Sequence, residues 1–352
     1  MSLLKVFFLP WWSRNPYQKL LSEHLEQFGV EVRTFNYSRI IFLTPSVIRW
    51  QPDIIHFHTL YPFYEASNKF LFLCKFFTFF SQVLIVKLMG VKIVWTIHDL
   101  KNHENRQVEF ESIFNIFFGR LANAIITHCE IAKQEAIASF HLKKHDNIFV
   151  IPHANYVNYY ENAIDRSQAQ KTLGIKDAKL ILLFLGLLRG YKGVPELIDA
   201  FKQLEDDRVY LVIAGKASNE LAEQINLTIR GYDNIKFIPG FVADDQVQVY
   251  MNACDVVVLP YRDILTSGSV ILAMSFARAC IAPRKGCIAE VLDERGGILY
   301  EPDDENGIFK AIERAVQKKS DLLYMGAHNR QVVEQWDWKR IAEMTFKAYQ
   351  RF

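Results

Sequence analysis

Apolar residues along this chain fall into short continuous runs separated by amphipathic stretches, and that alternation predicts the secondary structure. Runs over residues 3–9, 30–36, 53–60, 92–100, 124–130 and 147–153 have strand length and little internal polarity, as parallel strands buried on both faces require. Between them, residues 17–28, 107–121 and 132–140, with a long Phe-rich stretch from Lys69 to Lys92, repeat apolar positions at helical spacing. This is a βαβ rhythm, which predicts a doubly wound parallel sheet. Residues 156–179 are polar, rich in Tyr and Asn and less periodic, and are expected to be an interdomain linker. The rhythm restarts at Leu180, with strands over 180–187, 209–215, 235–238, 256–260, 280–282 and 297–300. Helices are predicted over 194–204, 218–230, 244–252 and 267–276, with two or three more before the chain ends. The expected fold is α/β, with two Rossmann-like doubly wound domains facing across a cleft and a ligand lying between their strand ends.

Composition narrows the class. At 352 residues with 50% hydrophobic and 23% charged residues, the chain is long enough for two ordinary folded domains. Five cysteines at unpatterned positions (Cys74, Cys129, Cys254, Cys280, Cys287) supply neither a disulfide framework nor paired metal motifs. The chain enters a strand almost at once, with no basic and apolar leader pattern, so a cytoplasmic location is expected. The net charge of +2 hides an imbalance: residues 1–150 hold 16 Lys and Arg against 12 Asp and Glu, and 19 of the 27 Phe. Lys75 interrupts the Phe-rich stretch, so a helix packed on a sheet is expected there rather than a membrane span. Lys69, Lys75, Lys87 and Lys92 beside those rings also suit a helix whose outer face meets anionic headgroups, at the inner face of the plasma membrane.

Candidate chemistry lies in the second half. Leu185-Gly186-Leu187-Leu188-Arg189-Gly190-Tyr191-Lys192-Gly193 ends a buried-type strand in a turn bearing two cations, placed where open α/β sheets hold ligands. Leu265-Thr266-Ser267-Gly268-Ser269 opens a helix, which Thr266 or Ser267 can cap while the Gly268 and Ser269 amides face an anion. Either alone is an ordinary loop or cap; both at strand ends of one sheet point to a diphosphate. A dinucleotide site is excluded in the first half, because the turn Pro10-Trp11-Trp12-Ser13-Arg14-Asn15-Pro16 has no glycine to let the backbone approach a pyrophosphate. Trp11, Trp12, Arg14, Asn15 and Tyr17 are candidate acceptor contacts, the aromatic planes for stacking on a sugar and Arg14 for a lipid phosphate; the competing role is anchoring the first helix. His56 and His58 share one strand face, but no third metal ligand is evident.

With these residues in order, the chain resembles the family-4 retaining glycosyltransferases of GT-B architecture along nearly its whole length. Gly186 to Gly193 followed by Leu197-Ile198-Asp199-Ala200-Phe201 looks like the family's strand, Arg/Lys turn and helix, while Val212-Ile213-Ala214-Gly215 and Pro239-Gly240-Phe241-Val242 look like the strands framing the nucleotide base. Trp336 to Tyr349 resembles the closing helix that crosses back to the first domain, and Thr96-Ile97-His98-Asp99 matches the segment whose histidine stands beside the transferred sugar. Two departures stand out. The family's carboxylate pair in the donor loop is replaced by Ile264 and Leu272, with Asp263 one residue from the first, and the arginine expected at 187 lies at 189.

The resemblance implies domains over 1–160 (acceptor binding) and 175–335 (nucleotide sugar binding), with 336–352 returning to the first. It implies Arg189, Lys192 and His98 as catalytic residues, and Gly186, Gly215, Phe241, Val242, Asp263, Thr266, Ser267, Gly268 and Ser269 as donor contacts. It further implies a metal-independent hexosyl transfer with retention, from a nucleoside-diphosphate sugar as co-substrate with no cofactor, to a glycan or polyprenyl-linked acceptor in bacterial surface polysaccharide assembly. No nucleic-acid partner is expected. The missing carboxylates leave one alternative, a noncatalytic GT-B relative that binds a partner in a glycan-assembly complex.

Overall fold

The computed structural model describes residues 3–13, 15–35, 39–102, 108–143 and 146–351. The chain forms two compact units, Met1–His153 with Asp337–Phe352, and Ala154–Trp336.

The strands of the first unit are β1 (Leu4–Leu9), β2 (Val30–Arg33), β3 (Ile54–Phe57), β4 (Lys92–Thr96), β5 (Ala124–Thr127) and β6 (Ile148–Val150). Its helices are α1 (Pro16–Leu25), α2 (Leu43–Trp50), α3 (Lys69–Leu88), α4 (Val108–Leu121) and α5 (Glu130–Phe140). Among the described residues the sheet runs β2-β1-β3-β4-β5-β6, all parallel. Every residue of β3 and β5 is buried, which explains their unbroken apolar character. The order reverses between β1 and β3, so the loops after these two strands open at a topological switch point.

Several predicted strands are shorter at their carboxyl ends. The runs over 53–60, 92–100 and 124–130 shrink to Ile54–Phe57, Lys92–Thr96 and Ala124–Thr127. The ladder stops where the chain turns away, and His58, His98 and His128 become residues of the sheet's rim rather than of its strands. Helix α2 has no counterpart in the sequence reading; with Pro45 inside its first turn and only eight residues, it shows little periodicity.

The second unit carries β7 (Leu180–Leu185), β8 (Val209–Gly215), β9 (Ile235–Pro239), β10 (Val256–Val258), β11 (Ala279–Pro283) and β12 (Gly297–Tyr300). Its helices are α6 (Arg166–Thr172), α7 (Val194–Phe201), α8 (Asn219–Thr228), α9 (Val247–Ala253), α10 (Gly268–Ser275), α11 (Ile288–Val291), α12 (Gly307–Gln317) and α13 (Leu322–Glu334). The described strands order as β12-β11-β10-β7-β8-β9, all parallel, and the switch point falls between β7 and β10. The segment expected to be a linker is instead part of this unit. Asp165 and Gln168 form a reciprocal capping box at the start of α6, which packs on α9. Arg166 pairs with Asp255 at 2.8 Å, and the same carboxylate accepts the Ile181 amide at the head of β7. A polar sequence therefore docks through hydrogen bonds rather than through an apolar face.

The last helix, α14 (Trp338–Tyr349), belongs to the first unit, where it packs on α1. Trp338 meets Tyr17 at 5.6 Å between ring centroids and Phe346 stacks on Phe28 at 5.7 Å.

Candidate active site

The switch point of the second sheet gathers the cationic turn and the head of α10. Beyond β7 the backbone stays paired with the extension of β8: Gly186 N–H donates to Ala214 O at 3.0 Å and Leu188 N–H to Lys216 O at 2.9 Å. Side chains therefore keep alternating, with Leu187 out, Leu188 buried and Arg189 out, so Arg189 shares the side of position 187. Residues 190–192 then make one 3₁₀ turn, closed by Gly193 at φ 69°. A Cβ at Gly193 would stand 1.8 Å from Pro260 O, so this turn rests backbone to backbone on the strand end after β10, and only glycine fits.

Two residues that sequence reasoning passed over fasten this turn. Arg262 N–H donates to Tyr191 O at 2.9 Å, and the Lys192 ammonium lies 4.1 Å from the centroid of the buried Tyr261 ring. The Tyr261 hydroxyl in turn meets Ser267 Oγ at 3.4 Å. Ser267, rather than Thr266, caps α10, its Oγ accepting from Val270 N–H at 3.3 Å. With that bond made, the amides of Gly268 and Ser269 still precede the helix's own ladder. The Ser269 hydroxyl faces the bare Cα of Gly186, 3.8 Å from where a side chain there would begin. Lys192, the α10 amide end and the Gly186 backbone are thus neighbours. Nothing in the pattern of the chain marked Tyr261 or Arg262, whose use depends on the loop's path.

The remaining donor-side candidates divide. At the adjoining strand end, Gly240 N–H donates to Gly215 O at 3.1 Å, leaving Phe241 58% exposed and Val242 partly buried against the core. Asp263 pairs with Lys285 at 3.3 Å, and Lys285 also donates to Arg262 O. Ile264 is buried and Leu272 packs on the core, so both positions that carry carboxylates in the resembled family are spent on apolar packing.

In the first unit the loop after β1 is held by Gln18, whose Oε1 accepts the Trp12 amide at 2.9 Å and whose Nε2 donates to Pro10 O at 2.7 Å. Trp12 remains 42% exposed and Trp11 partly so; Asn15 spends its carbonyl on capping α1 through Tyr17 N–H, and Arg14 lies outside the described residues. Tyr17 is a correction. It is 3% exposed, its ring packed among His58, His98, His128 and His153, so it offers no open plane for stacking on an acceptor.

Those histidines, with His56, form a cluster along the ends of β3 to β6. His56 is bonded at both ring nitrogens, to Tyr349 Oη and Thr96 Oγ1, each at 2.6 Å. That leaves no lone pair for a metal, and among the described residues no three acidic, His or Cys side chains are placed to hold one. Both nitrogens of His58 are buried without a hydrogen-bond partner among the described residues. His98 Nδ1 lies 3.2 Å from His128 Nε2, and His128 Nδ1 lies 2.9 Å from Ile151 O. Burial disfavours the imidazolium throughout, lowering His56 to about 3 and His128 to about 4 and holding His58 and His98 well below the ordinary histidine range; neighbouring histidines push the same way at His56, His58 and His98. These four histidines are neutral at physiological pH.

Comparison with known proteins bears on this geometry. The family described as Glycosyl transferases group 1 matches residues 179–318, the stretch that holds β7, the cationic turn and α10. The chain is 25% identical over 305 residues to a GDP-mannose:glycolipid 4-beta-D-mannosyltransferase of Xanthomonas campestris pv. campestris, covering 84% of this chain and 79% of that protein. It is 27% identical over 197 residues to a lipopolysaccharide 1,2-N-acetylglucosaminetransferase of Salmonella typhimurium, covering 53% of this chain and 51% of that one. The fold matches HepE of Anabaena, solved with UDP and glucose, at a TM-score of 0.77 and 17% identity, covering 99% and 100% of the two chains. It also matches sucrose-phosphate synthase of Thermosynechococcus elongatus at 0.80 and 16% identity, covering 100% and 99%. The chain thus has the two parallel sheets of GT-B architecture, carries a glycosyl transferases group 1 domain over residues 179–318, and is similar to nucleotide-sugar glycosyltransferases along most of its length.

Proposed function

We propose that this glycosyltransferase moves a hexose from a nucleoside-diphosphate sugar to a glycan or lipid-linked acceptor in bacterial surface polysaccharide assembly, with Arg189, Lys192 and the head of α10 stabilising the leaving diphosphate. The observation that carries the reading is the meeting of the Lys192 turn, Gly186 and the Ser267-capped α10 at one switch point. As the C1–O bond breaks, its electron pair moves to the diphosphate oxygen while the sugar becomes oxocarbenium-like. Charge therefore grows on the leaving group, and fixed cations and amides there favour the transition state over the ground state. Arg189 supplies a planar fork, Lys192 a point charge, and the Gly268 and Ser269 amides a dipole that costs no reorganisation. In the retaining course the departing oxygen takes the acceptor's proton as the acceptor oxygen bonds C1. The Xanthomonas relative is named for a β-linked product. The anomeric proton coupling of the product is accordingly the measurement that decides between retention and inversion.

The experiment is release of nucleoside diphosphate from UDP, GDP and ADP sugars in the presence of polyprenyl-linked acceptors. Arg189→Ala and Lys192→Ala should each lower kcat by about 100-fold or more, in the range for losing one oxyanion contact. Turnover should survive EDTA. Full activity in both variants would remove these residues from the mechanism, and binding without turnover by the intact protein would favour the noncatalytic reading.

A location at an anionic membrane is supported by α3. It is 20 residues long, with a mean hydropathy of 1.8 in an 18-residue window of which only 28% is buried. Phe72, Phe79, Gln82, Val83 and Val86 point into the unit, and Gln82 accepts the Phe42 and Leu43 amides, so this stripe is committed to the protein. The outward face runs Phe70, Cys74, Phe77, Ser81, Leu84, Leu88 without a charge, with Phe70 79% and Leu88 87% exposed. Between Ala66 and His98 the chain has no Asp or Glu. The lysines are arranged differently from the expectation, because Lys75 donates back to Glu65 O and Lys87 to Leu121 O, which leaves Lys69, with Arg39, Arg49 and Arg120 on neighbouring elements, as the exposed cations. The protein should float with phosphatidylglycerol vesicles and not with phosphatidylcholine alone, and Phe77→Glu with Leu88→Glu should reduce flotation about tenfold or more. Equal binding to both vesicles, or self-association through this face, would overturn the assignment.

A further inference from the structure

Helix α3 has a neighbour on either side along the outside of the first unit, and both continue its apolar surface. On one side Gln82, buried in α3, holds the segment that leads into α2. Its Nε2 donates to Ile40 O at 3.0 Å, and its Oε1 accepts the Phe42 and Leu43 amides at the head of that helix, each at 2.9 Å. This leaves Ile41 61% exposed in the segment and Ile48 60% exposed on α2. On the other side Phe76 meets Phe114 of α4 at 5.0 Å between ring centroids, and Phe80 meets Phe117 at 6.4 Å. Phe114 is buried, whereas Phe117 and Ile113, one turn apart, are half exposed. Single exposed apolar side chains are ordinary, but a run of them across three adjacent elements marks an interaction surface. The charges on these elements have one sign. Residues 39–50, 69–88 and 112–121 include no Asp or Glu, and the exposed Arg39, Arg49, Lys69 and Arg120 stand at their ends. An apolar face bordered by cations alone complements an acyl boundary bordered by anionic headgroups.

We propose that the first unit seats on an anionic phospholipid bilayer through a plate of three elements, with α3 lying in the plane of the headgroups and Ile41 and Phe117 inserting on either side of it. This rests on the reading of α3 as the membrane-facing helix, and it adds two contacts that a single amphipathic helix does not have. Exposed apolar residues run the length of α3, from Phe70 to Leu88, while Phe72, Phe79, Val83 and Val86 stay buried against the unit. Contact along one face over about 27 Å, at 1.5 Å per residue, belongs to a helix in the interface plane rather than across it. One such helix leaves the unit free to roll about the helix axis. Flanking contacts on both sides remove that freedom and fix the tilt. Because α3 joins the parallel strands β3 and β4, it runs back against their direction. The fixed tilt therefore lays these strands along the bilayer and holds the loops at their carboxyl ends at headgroup level, where the hydroxyl of a lipid-linked acceptor lies.

The test uses the full-length protein with vesicles of phosphatidylglycerol and phosphatidylcholine. Ile41→Glu and Phe117→Glu, each of which leaves α3 intact, should lower the partition coefficient onto phosphatidylglycerol vesicles about tenfold, with the melting midpoint unchanged because both side chains are exposed. Ile41→Trp should bind at least as well as wild type, since an indole suits the interface. An environment-sensitive fluorophore attached to Ile41→Cys or Phe117→Cys, in a Cys74→Ser background, should shift to the blue when vesicles are added. Wild-type partitioning in either Glu variant, or an unshifted spectrum at either position, would overturn the plate while leaving α3 as a single-helix anchor. Failure of the wild-type protein to bind phosphatidylglycerol vesicles would instead remove the membrane reading itself. Self-association without lipid that is lost in Ile41→Glu would assign the face to a second copy of the chain and would also overturn the proposal.

Discussion

Single residues decide how the diphosphate-type turn is held. Gly193 combines a left-handed backbone with contact against Pro260 O, whereas Gly190 has open space around its Cα. Alanine at 193 must relieve a backbone clash and also pay about 1 kcal/mol for φ above zero. Gly193→Ala should therefore cost about 2 kcal/mol or more, lowering the melting midpoint by several degrees and nucleotide affinity with it, while Gly190→Ala stays within about 1 kcal/mol of wild type by calorimetry. A tolerated Gly193→Ala would mean that the turn can lift off the strand end. At this scale the chain was partly legible. Ser267 as a cap and Arg189 on the side of 187 follow from local rules, but Tyr261 under Lys192 depends on a loop whose course no local rule sets.

Elements account for the histidine cluster. Strands β3, β4, β5 and β6 end side by side, and each passes a histidine, or two in the case of β3, to a common rim covered by Tyr17 of α1 and Tyr349 of α14. The folded-state pKa values of His56 and His128, about 3 and about 4, lie below the unfolded value near 6.5. Between these limits the unfolded chain binds more protons, so stability is complete above about pH 6.5 and declines as pH falls, by about 1.4 kcal/mol per pH unit for each histidine kept neutral. Urea denaturation of the first unit should show a midpoint dropping between pH 6.5 and 4.5, and His128→Gln should flatten that slope. A midpoint independent of pH over this range would show that the cluster charges without opening. In the sequence, His56 and His58 share one strand face and His98 stands apart from them. Their mutual contact comes from the ladder, which aligns strands far apart in the chain.

At the scale of the molecule, each unit is a parallel sheet with its own switch point, and the first unit is closed by both ends of the chain. Helix α14 covers α1 and supplies the Tyr349 hydroxyl that satisfies buried His56. Truncation after residue 336 would expose that face and leave His56 Nδ1 without its partner, so the first unit should lose its hydrogen-exchange protection while the second, whose contacts lie within Ala154–Trp336, keeps its own. Retained protection in both would show that α14 is dispensable. The polar run before Leu180 belongs to the second unit for a comparable reason, since Arg166 and Asp255 tie it to β7.

The sequence by itself determined the α/β class, the strand order of events along the chain and the two phosphate-type elements, because periodicity, capping and strand-end chemistry are local properties written in neighbouring residues. Tertiary structure alone decided that Tyr17 is core, that Tyr261 seats Lys192, that five histidines share one rim and that His98 faces His128. Each of those depends on residues distant in sequence being brought within bonding distance, and such distances follow from how strands pair and helices cover them.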